Sequence, residues 1–151
     1  MNAPIRDLHR TEMPRTLVML TAMACGMLAA IAAQIVLARR GIELAGVWRE
    51  LSPTRGSQLR AASPWWIMSG ASFLVGAIVA AALSRFPLPW LRFRLLRWAA
   101  GAAVVATLAH IGHSAALKAG AAIGIHVAAS FVAIGAAGLT ALFGAYFAAK
   151  R

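Results

Sequence analysis

The sequence contains four long apolar runs that are almost free of charge, at about residues 16–38, 64–83, 96–117 and 121–148. A run of about 20 apolar residues is enough for a helix to cross the hydrocarbon core of a membrane. Lipid offers unpaired backbone groups no partner, and the alternating pattern of a barrel strand is absent, so helix is the expected conformation. The sequence therefore predicts an all-α membrane protein folded as a four-helix transmembrane bundle.

The composition excludes an ordinary soluble protein. Hydrophobic residues make up 61% of the chain and charged residues only 13%, and the mean hydropathy is +0.74, well outside the range of soluble domains. The 151 residues leave room for one integral membrane domain, residues 1–151, and for no large soluble domain. A secretory signal peptide is the competing interpretation of residues 1–38, but the apolar run exceeds the roughly 7–15 residues of a signal core. A retained first helix is favoured.

The distribution of basic residues predicts an orientation. Nine Lys and Arg residues flank the helices on one side of the membrane and six on the other, so the positive-inside rule places both termini in the cytoplasm. We expect an integral protein of a bacterial inner membrane. The net charge of +11 arises from residues at helix ends and not from one soluble face, so anionic lipid headgroups are the expected partners and nucleic acid is not.

The segment after the first run has an amphipathic pattern. Ile42, Ala45, Trp48 and Leu51 recur at helical spacing, which predicts a short interfacial helix lying on the membrane surface. Such a helix could be a docking surface or a simple connector, and the connector is favoured. The polar stretch that follows, up to Ser63, is expected to be a loop.

An arginine-rich segment opens the third run. Arg92, Arg94 and Arg97 lie among aromatic residues, where they could hold an anionic lipid headgroup. They could equally act only as determinants of topology.

Three of the four histidines lie within residues 110–126. The break between the third and fourth runs is short enough to predict a tight hairpin, which would place His113 and His126 at a similar depth and His110 one turn deeper. Helical spacing puts Thr107 and His110 on one stripe of the third helix. We expect this stripe to face a stripe on the fourth helix that includes His126 and Ser130.

Further polar side chains are expected at the same end of the bundle. The predicted intramembrane polar cluster comprises Gln34, Ser69, Ser72, Thr107 and Ser130. Neutral His, Ser and Gln can simply join helices by hydrogen bonds, but intramembrane ionisable residues are also functional candidates. The sequence supports a structural role and a functional role for this cluster about equally.

The candidate cofactor-binding residues are His110, His113 and His126, and three chemistries could use them. A metal ion such as zinc, copper or iron would find no Asp, Glu or Cys nearby. A b-type haem would need helices further apart than the small residues of this region suggest. A proton relay or a contact with a quinone headgroup is the third, although no helix contains a carboxylate.

Glycine residues recur along the last run. Gly120, Gly124, Gly135, Gly138 and Gly144 predict close helix packing, within the chain or against another chain. The favoured hypothesis is a non-catalytic accessory or scaffolding subunit that packs against a larger membrane protein complex, or against copies of itself, without a cofactor. The alternative is a redox or metal-handling membrane protein that uses the three histidines. A small oligomeric transporter or channel is the third hypothesis.

Overall fold

The computed structural model describes residues 15–42, 55–85, 89–117 and 123–149, which are helical apart from three residues after the first helix. The helices are α1 (Arg15–Arg39), α2 (Arg55–Arg85), α3 (Pro89–Leu117) and α4 (Ile123–Ala149). Each contains a segment long and apolar enough to cross a membrane, namely Arg15–Arg39, Ser63–Arg85, Phe93–His113 and Ile123–Ala149. The prediction of a four-helix transmembrane fold is confirmed, and the protein is an integral membrane protein.

A left-handed glycine ends α1. Gly41 has a φ of 72°, a conformation that costs glycine little because it has no Cβ. The Ile42 N–H donates to the Leu37 carbonyl and the Gly41 N–H to the Ala38 carbonyl, both at 3.0 Å. These two bonds satisfy carbonyls that the helix end leaves open. The predicted interfacial helix follows this point, and apart from Ile42 its residues lie outside the described ranges.

The second helix begins earlier than its apolar run. Residues 55–63 are helical, so the prediction of a loop up to Ser63 is wrong. The segment contains Gln58, Leu59 and Arg60, which have high helix propensity. Pro64 lies inside the helix, and membrane helices tolerate proline because other groups satisfy the freed carbonyl.

Three helices form a closely packed core, and α3 lies at its edge. The contacts of α2 with α4, of α1 with α2 and of α1 with α4 are extensive, whereas α3 contacts mainly α1 and meets α4 much less. Only 11% of the apolar segment of α3 is buried inside the protein, compared with 44% of that of α4. One long side of α3 therefore faces outward.

Small residues hold this core together. Ala22 of α1, Ala80 of α2 and Ala145 of α4 form one buried cluster. Leu37, Met68 and Ala133, again from α1, α2 and α4, form a second cluster towards the other end. Because lipid is as apolar as these side chains, the association depends on close van der Waals packing.

Glycines allow backbones to approach at three places. A Cβ built on Gly76 or on Gly144 would collide with backbone atoms of the facing helix, those of Ala141 and Phe73 respectively. One built on Gly26 would collide with the Cβ of Ala141. Gly26 and Gly76 are absent from the predicted packing set, although they lie four residues from the small residues Ala22 and Ala80.

The predicted packing glycines of α4 fall into two groups. Gly138 and Gly144 are buried, and a Cβ on Gly138 would meet the side chains of Met23 and Met27. Gly124 and Gly135 are exposed, with no atom within 4 Å of a built Cβ. Gly120 lies outside the described residues.

Candidate functional site

A hydrogen bond between His110 and Gln34 joins α3 to the core. His110 Nε2 lies 2.7 Å from Gln34 Oε1, so the ring carries a proton on Nε2 and donates it to the amide oxygen. Gln34 is only 4% exposed, while His110 is half-buried. The bond spans the interface at which α3 makes most of its contacts, and it fixes α3 against α1.

Two polar atoms of α1 and α3 have no hydrogen-bond partner among the described residues. They are Gln34 Nε2 and Thr107 Oγ1, both fully screened from solvent. Thr107 precedes His110 by three residues and therefore lies on the same face of α3, one turn away. Between α1 and α3, an amide N–H group and a hydroxyl group are thus left without a hydrogen bond from the described residues.

The polar stripe of α3 faces α1, whereas we expected it to face α4. A short hairpin brings two helix ends together but does not force the helices to pack along their length. The small residues of α4, including Ala133, Ala141 and Ala145, pack against α1 and α2 instead. On α1, Gln34 offers His110 a hydrogen-bond acceptor within an otherwise apolar surface.

His126 lies at a different level from the pair. Ala133 packs beside Leu37, and α4 runs antiparallel to α1, because Ala141 lies beside Gly26. Gln34 is eight residues from Gly26 and His126 is 15 residues from Ala141 in the same direction along the bundle, which separates them by roughly 10 Å at 1.5 Å per residue. His126 is buried, whereas His113 is exposed. The structure therefore brings Gln34, Thr107 and His110 together but does not add His126.

The serines of the predicted polar cluster lie in the core. Ser72 is completely buried, and its hydroxyl donates to the Gly26 carbonyl at 3.2 Å, which joins α2 to α1. Ser130 is buried and Ser69 is half-buried.

The described residues include no group of three His, Cys, Asp or Glu side chains placed to hold a metal ion. His110 Nε2 is directed at Gln34, so this nitrogen is not presented to a metal or a haem iron in the observed arrangement.

A second candidate site lies near the start of α3. Arg94, Arg97 and Trp98 line an open cleft of about 540 Å³. The Arg94 guanidinium lies 5.5 Å from the centre of the Trp90 ring, an attractive cation–π contact. The side chain of Arg92 is outside the described part of the structure.

The arginines of this cleft have no acidic neighbour within the described ranges. All four carboxylate residues of the chain, Asp7, Glu12, Glu43 and Glu50, lie outside those ranges. The exposed guanidinium groups of Arg94 and Arg97 are therefore suited to an anion supplied from outside, and a lipid phosphate is the anion found at a membrane surface.

Comparisons of this chain with protein-family models, with curated proteins and with solved structures give no match.

Proposed function

We propose that this integral membrane protein is a small, non-catalytic subunit that docks through α3 onto a helix of a larger membrane protein. The observation that carries the proposal is the position of α3, which packs mainly against α1 and leaves one long side uncovered. The other three helices contact one another extensively.

The uncovered side of α3 contains two glycines that leave room for a second helix. Gly101 and Gly112 are exposed, and a Cβ on either would have no atom within 4 Å. Glycine destabilises a helix interior by about 1 kcal/mol relative to alanine, but it lets a second transmembrane helix approach closely. Gly101, Val105, Leu108 and Gly112 form one stripe at helical spacing, which we call the docking stripe.

The apolar segment of α3 is also the least hydrophobic of the four. Its mean hydropathy is 1.4, compared with 1.9 to 2.1 for the other three segments. A helix that contacts lipid over most of its surface gains from high hydropathy, whereas one that contacts protein needs it less. This difference supports a protein partner on α3.

Anionic lipid is the second partner that we propose. The basic entry to α3, Arg92, Arg94 and Arg97, would hold a phosphate-bearing headgroup at the cytoplasmic surface of a bacterial inner membrane. The excess of basic residues on that side of the helices supports this orientation, with both termini in the cytoplasm.

Photo-crosslinking in the native membrane tests the docking proposal. A photoreactive amino acid replaces Val105 in the docking stripe or Ile78 on α2, two side chains of nearly equal exposure at 67% and 66%. The expected result is a crosslink from position 105, and none from position 78, to another membrane protein. Crosslinks from both positions, or to lipid alone, would contradict the proposal.

A glycine substitution gives a second, independent readout. Gly101→Leu adds a large side chain to the docking stripe at a position where a Cβ meets no other atom, and Gly70→Leu is the matched control because a Cβ on Gly70 also meets none. We expect Gly101→Leu to weaken the complex by on the order of tenfold, the scale of an overpacked contact, and Gly70→Leu to leave it intact. Co-isolation of two differently tagged copies, with no other protein, would show a homo-oligomer and would overturn docking onto a different protein.

A further inference from the structure

The cleft lined by Arg94, Arg97 and Trp98, which we call the arginine cleft, lies on the same face of α3 as the docking stripe. Trp98 follows Arg94 by four residues and Gly101 follows Trp98 by three, so these residues share one face of the helix. The docking stripe continues from Gly101 at the same spacing. The three cleft residues are exposed, Trp98 by 78%, whereas Ala103 on the opposite face is only 3% exposed. The arginine cleft therefore extends the docking stripe towards the start of α3.

A membrane helix that docks on this stripe also covers the cleft. Arg97 lies four residues before Gly101 and Arg94 seven, so they are only about 6 and 10 Å from it along the helix axis. Both arginines lie within the apolar segment Phe93–His113, at a level that any membrane-spanning partner must cross. Packed membrane helices mostly cross at about 20°, so the partner diverges from α3 by only about 4 Å over this distance.

Docking therefore encloses two positive charges. The four carboxylate residues of the chain lie outside the described ranges, so none of the described side chains neutralises Arg94 or Arg97. The contact of Arg94 with the Trp90 ring leaves its charge in place. Because an enclosed charge without a counter-charge is strongly unfavourable, the docked complex needs an anion in the cleft.

The size and position of the cleft favour a lipid phosphate over a side-chain carboxylate. Its volume of about 540 Å³ falls in the range of sites that hold whole small molecules, roughly 300–1,000 Å³, and far exceeds what a carboxylate group fills. Arg94 and Arg97 are neighbours on the helix surface, and guanidinium groups donate paired N–H groups to phosphate oxygens. The Trp98 indole is a side chain typical of the headgroup level of a membrane.

We infer that an anionic phospholipid in the arginine cleft is shared between α3 and the docked partner helix, so that docking depends on this lipid. The inference rests on the proposed docking through α3, and it makes the lipid a part of the interface. A carboxylate of the partner or of this chain is the competing counter-ion, and free phosphate is the competing source of the same chemistry.

Exchange of the lipids around the native complex separates these sources. The full-length protein, with a photoreactive amino acid in place of Val105, is isolated with its partner and moved into nanodiscs of phosphatidylcholine, with or without added phosphatidylglycerol. We expect a crosslink yield about tenfold higher with phosphatidylglycerol, the scale of the attraction between two basic residues and anionic lipid. Inorganic phosphate added to the phosphatidylcholine nanodiscs should not restore the yield. Equal yields in the two lipids, or restoration by phosphate, would overturn the inference.

Glutamine substitutions locate the lipid effect. Arg94→Gln and Arg97→Gln together remove the charges that need an anion, so the ratio of yields in the two lipids should fall from about ten to about one. Arg85→Gln is the matched control, because Arg85 is exposed at the end of α2, and it should keep the original ratio. Thermal unfolding of the double variant should match that of the original protein, since both side chains are exposed. A double variant that keeps the ratio would place the lipid elsewhere and overturn the inference.

Failure of the docking proposal and failure of this inference give different results. If position 105 forms no crosslink to another membrane protein in the native membrane, docking through α3 fails and the inference fails with it. If that crosslink forms but its yield is the same in both lipids, docking stands and only the shared lipid is overturned.

Discussion

Gly144 of α4 lies against the backbone of Phe73 of α2, with no space for even a methyl group between them. Gly76 of α2 meets the backbone of Ala141 of α4 in the same way, about one turn along the interface. Each helix thus contributes one glycine to a reciprocal backbone contact, and the Phe73 and Phe147 rings pack 6.4 Å apart beside it.

Alanine substitutions on α4 should separate the packing glycines from the outward ones. Gly144→Ala should destabilise the bundle by about 1–3 kcal/mol, because the added methyl group meets backbone that cannot move aside. Gly135→Ala, on the same helix, should be neutral or stabilise by up to about 1 kcal/mol, because the position is open and alanine favours helix. The measurement is the free energy of unfolding in mixed detergent micelles, and equal effects would show that Gly144 is not a packing residue.

The change in stability caused by Gly138→Ala should lie between the changes caused by Gly144→Ala and Gly135→Ala. A Cβ there would lie 3.2 Å from the Met27 side chain and 3.3 Å from that of Met23, and methionine can change rotamer to make room. A loss of stability as large as that of Gly144→Ala would mean that the two methionines are held rigidly.

The hydrogen bond between Gln34 and His110 should appear as a coupling energy. Gln34→Leu and His110→Phe each remove one partner, so the double variant should lose less stability than the sum of the two single losses. Hydrogen bonds of this kind between membrane helices contribute about 0.6 kcal/mol and at most about 1.7 kcal/mol. In the control, Ser84→Ala replaces His110→Phe in the double variant. The exposed Ser84 hydroxyl donates to a carbonyl of its own helix, so the losses of Gln34→Leu and Ser84→Ala should add. Additive losses for Gln34 and His110 would contradict the pairing.

The four membrane-spanning helices could be predicted because a helix in lipid satisfies its backbone hydrogen bonds within its own segment. An uninterrupted apolar run has one conformation that satisfies its hydrogen bonds. The start of α2 at Arg55 differs from the prediction because the polar stretch up to Ser63 is typical of a loop, whereas here it belongs to the helix.

The face by which each helix packs against its neighbour was harder to predict than the helices themselves. Helical spacing placed Thr107 and His110 on one face, as the structure has them, but the partner of that face was assigned to α4 because of the short hairpin. This face packs against α1 because Gln34 offers a hydrogen-bond acceptor there and because the small residues of α4 pack against other helices. Such an arrangement depends on the whole bundle and not on the sequence of one helix. For the same reason sequence spacing did not distinguish Gly144, which packs against backbone, from Gly135, which is open.

Neutralising the cleft at the start of α3 should reduce the retention of anionic lipid. Arg94→Gln and Arg97→Gln together should weaken binding of a phospholipid with an acidic headgroup by about tenfold or more, at about 1 kcal/mol for each basic residue near a membrane surface. Native mass spectrometry of the protein with mixed lipids measures this. Arg85→Gln, an exposed arginine at the end of α2 near the same surface, is the control. If it lowers retention equally, the effect reflects total charge and not the cleft.

Cysteine accessibility tests the orientation that the basic residues predict. In a Cys25→Ala background, which removes the single native thiol, Arg40→Cys lies just after α1 and Ser84→Cys near the end of α2, both exposed and at opposite ends of the bundle. Because nine basic residues lie on the side of Ser84 and six on the side of Arg40, the positive-inside rule places Ser84 in the cytoplasm. A membrane-impermeant maleimide added to intact cells should therefore label the Arg40→Cys protein at once, and the Ser84→Cys protein only after permeabilisation. The reverse pattern would place both termini outside and would move the arginine cleft to the other leaflet.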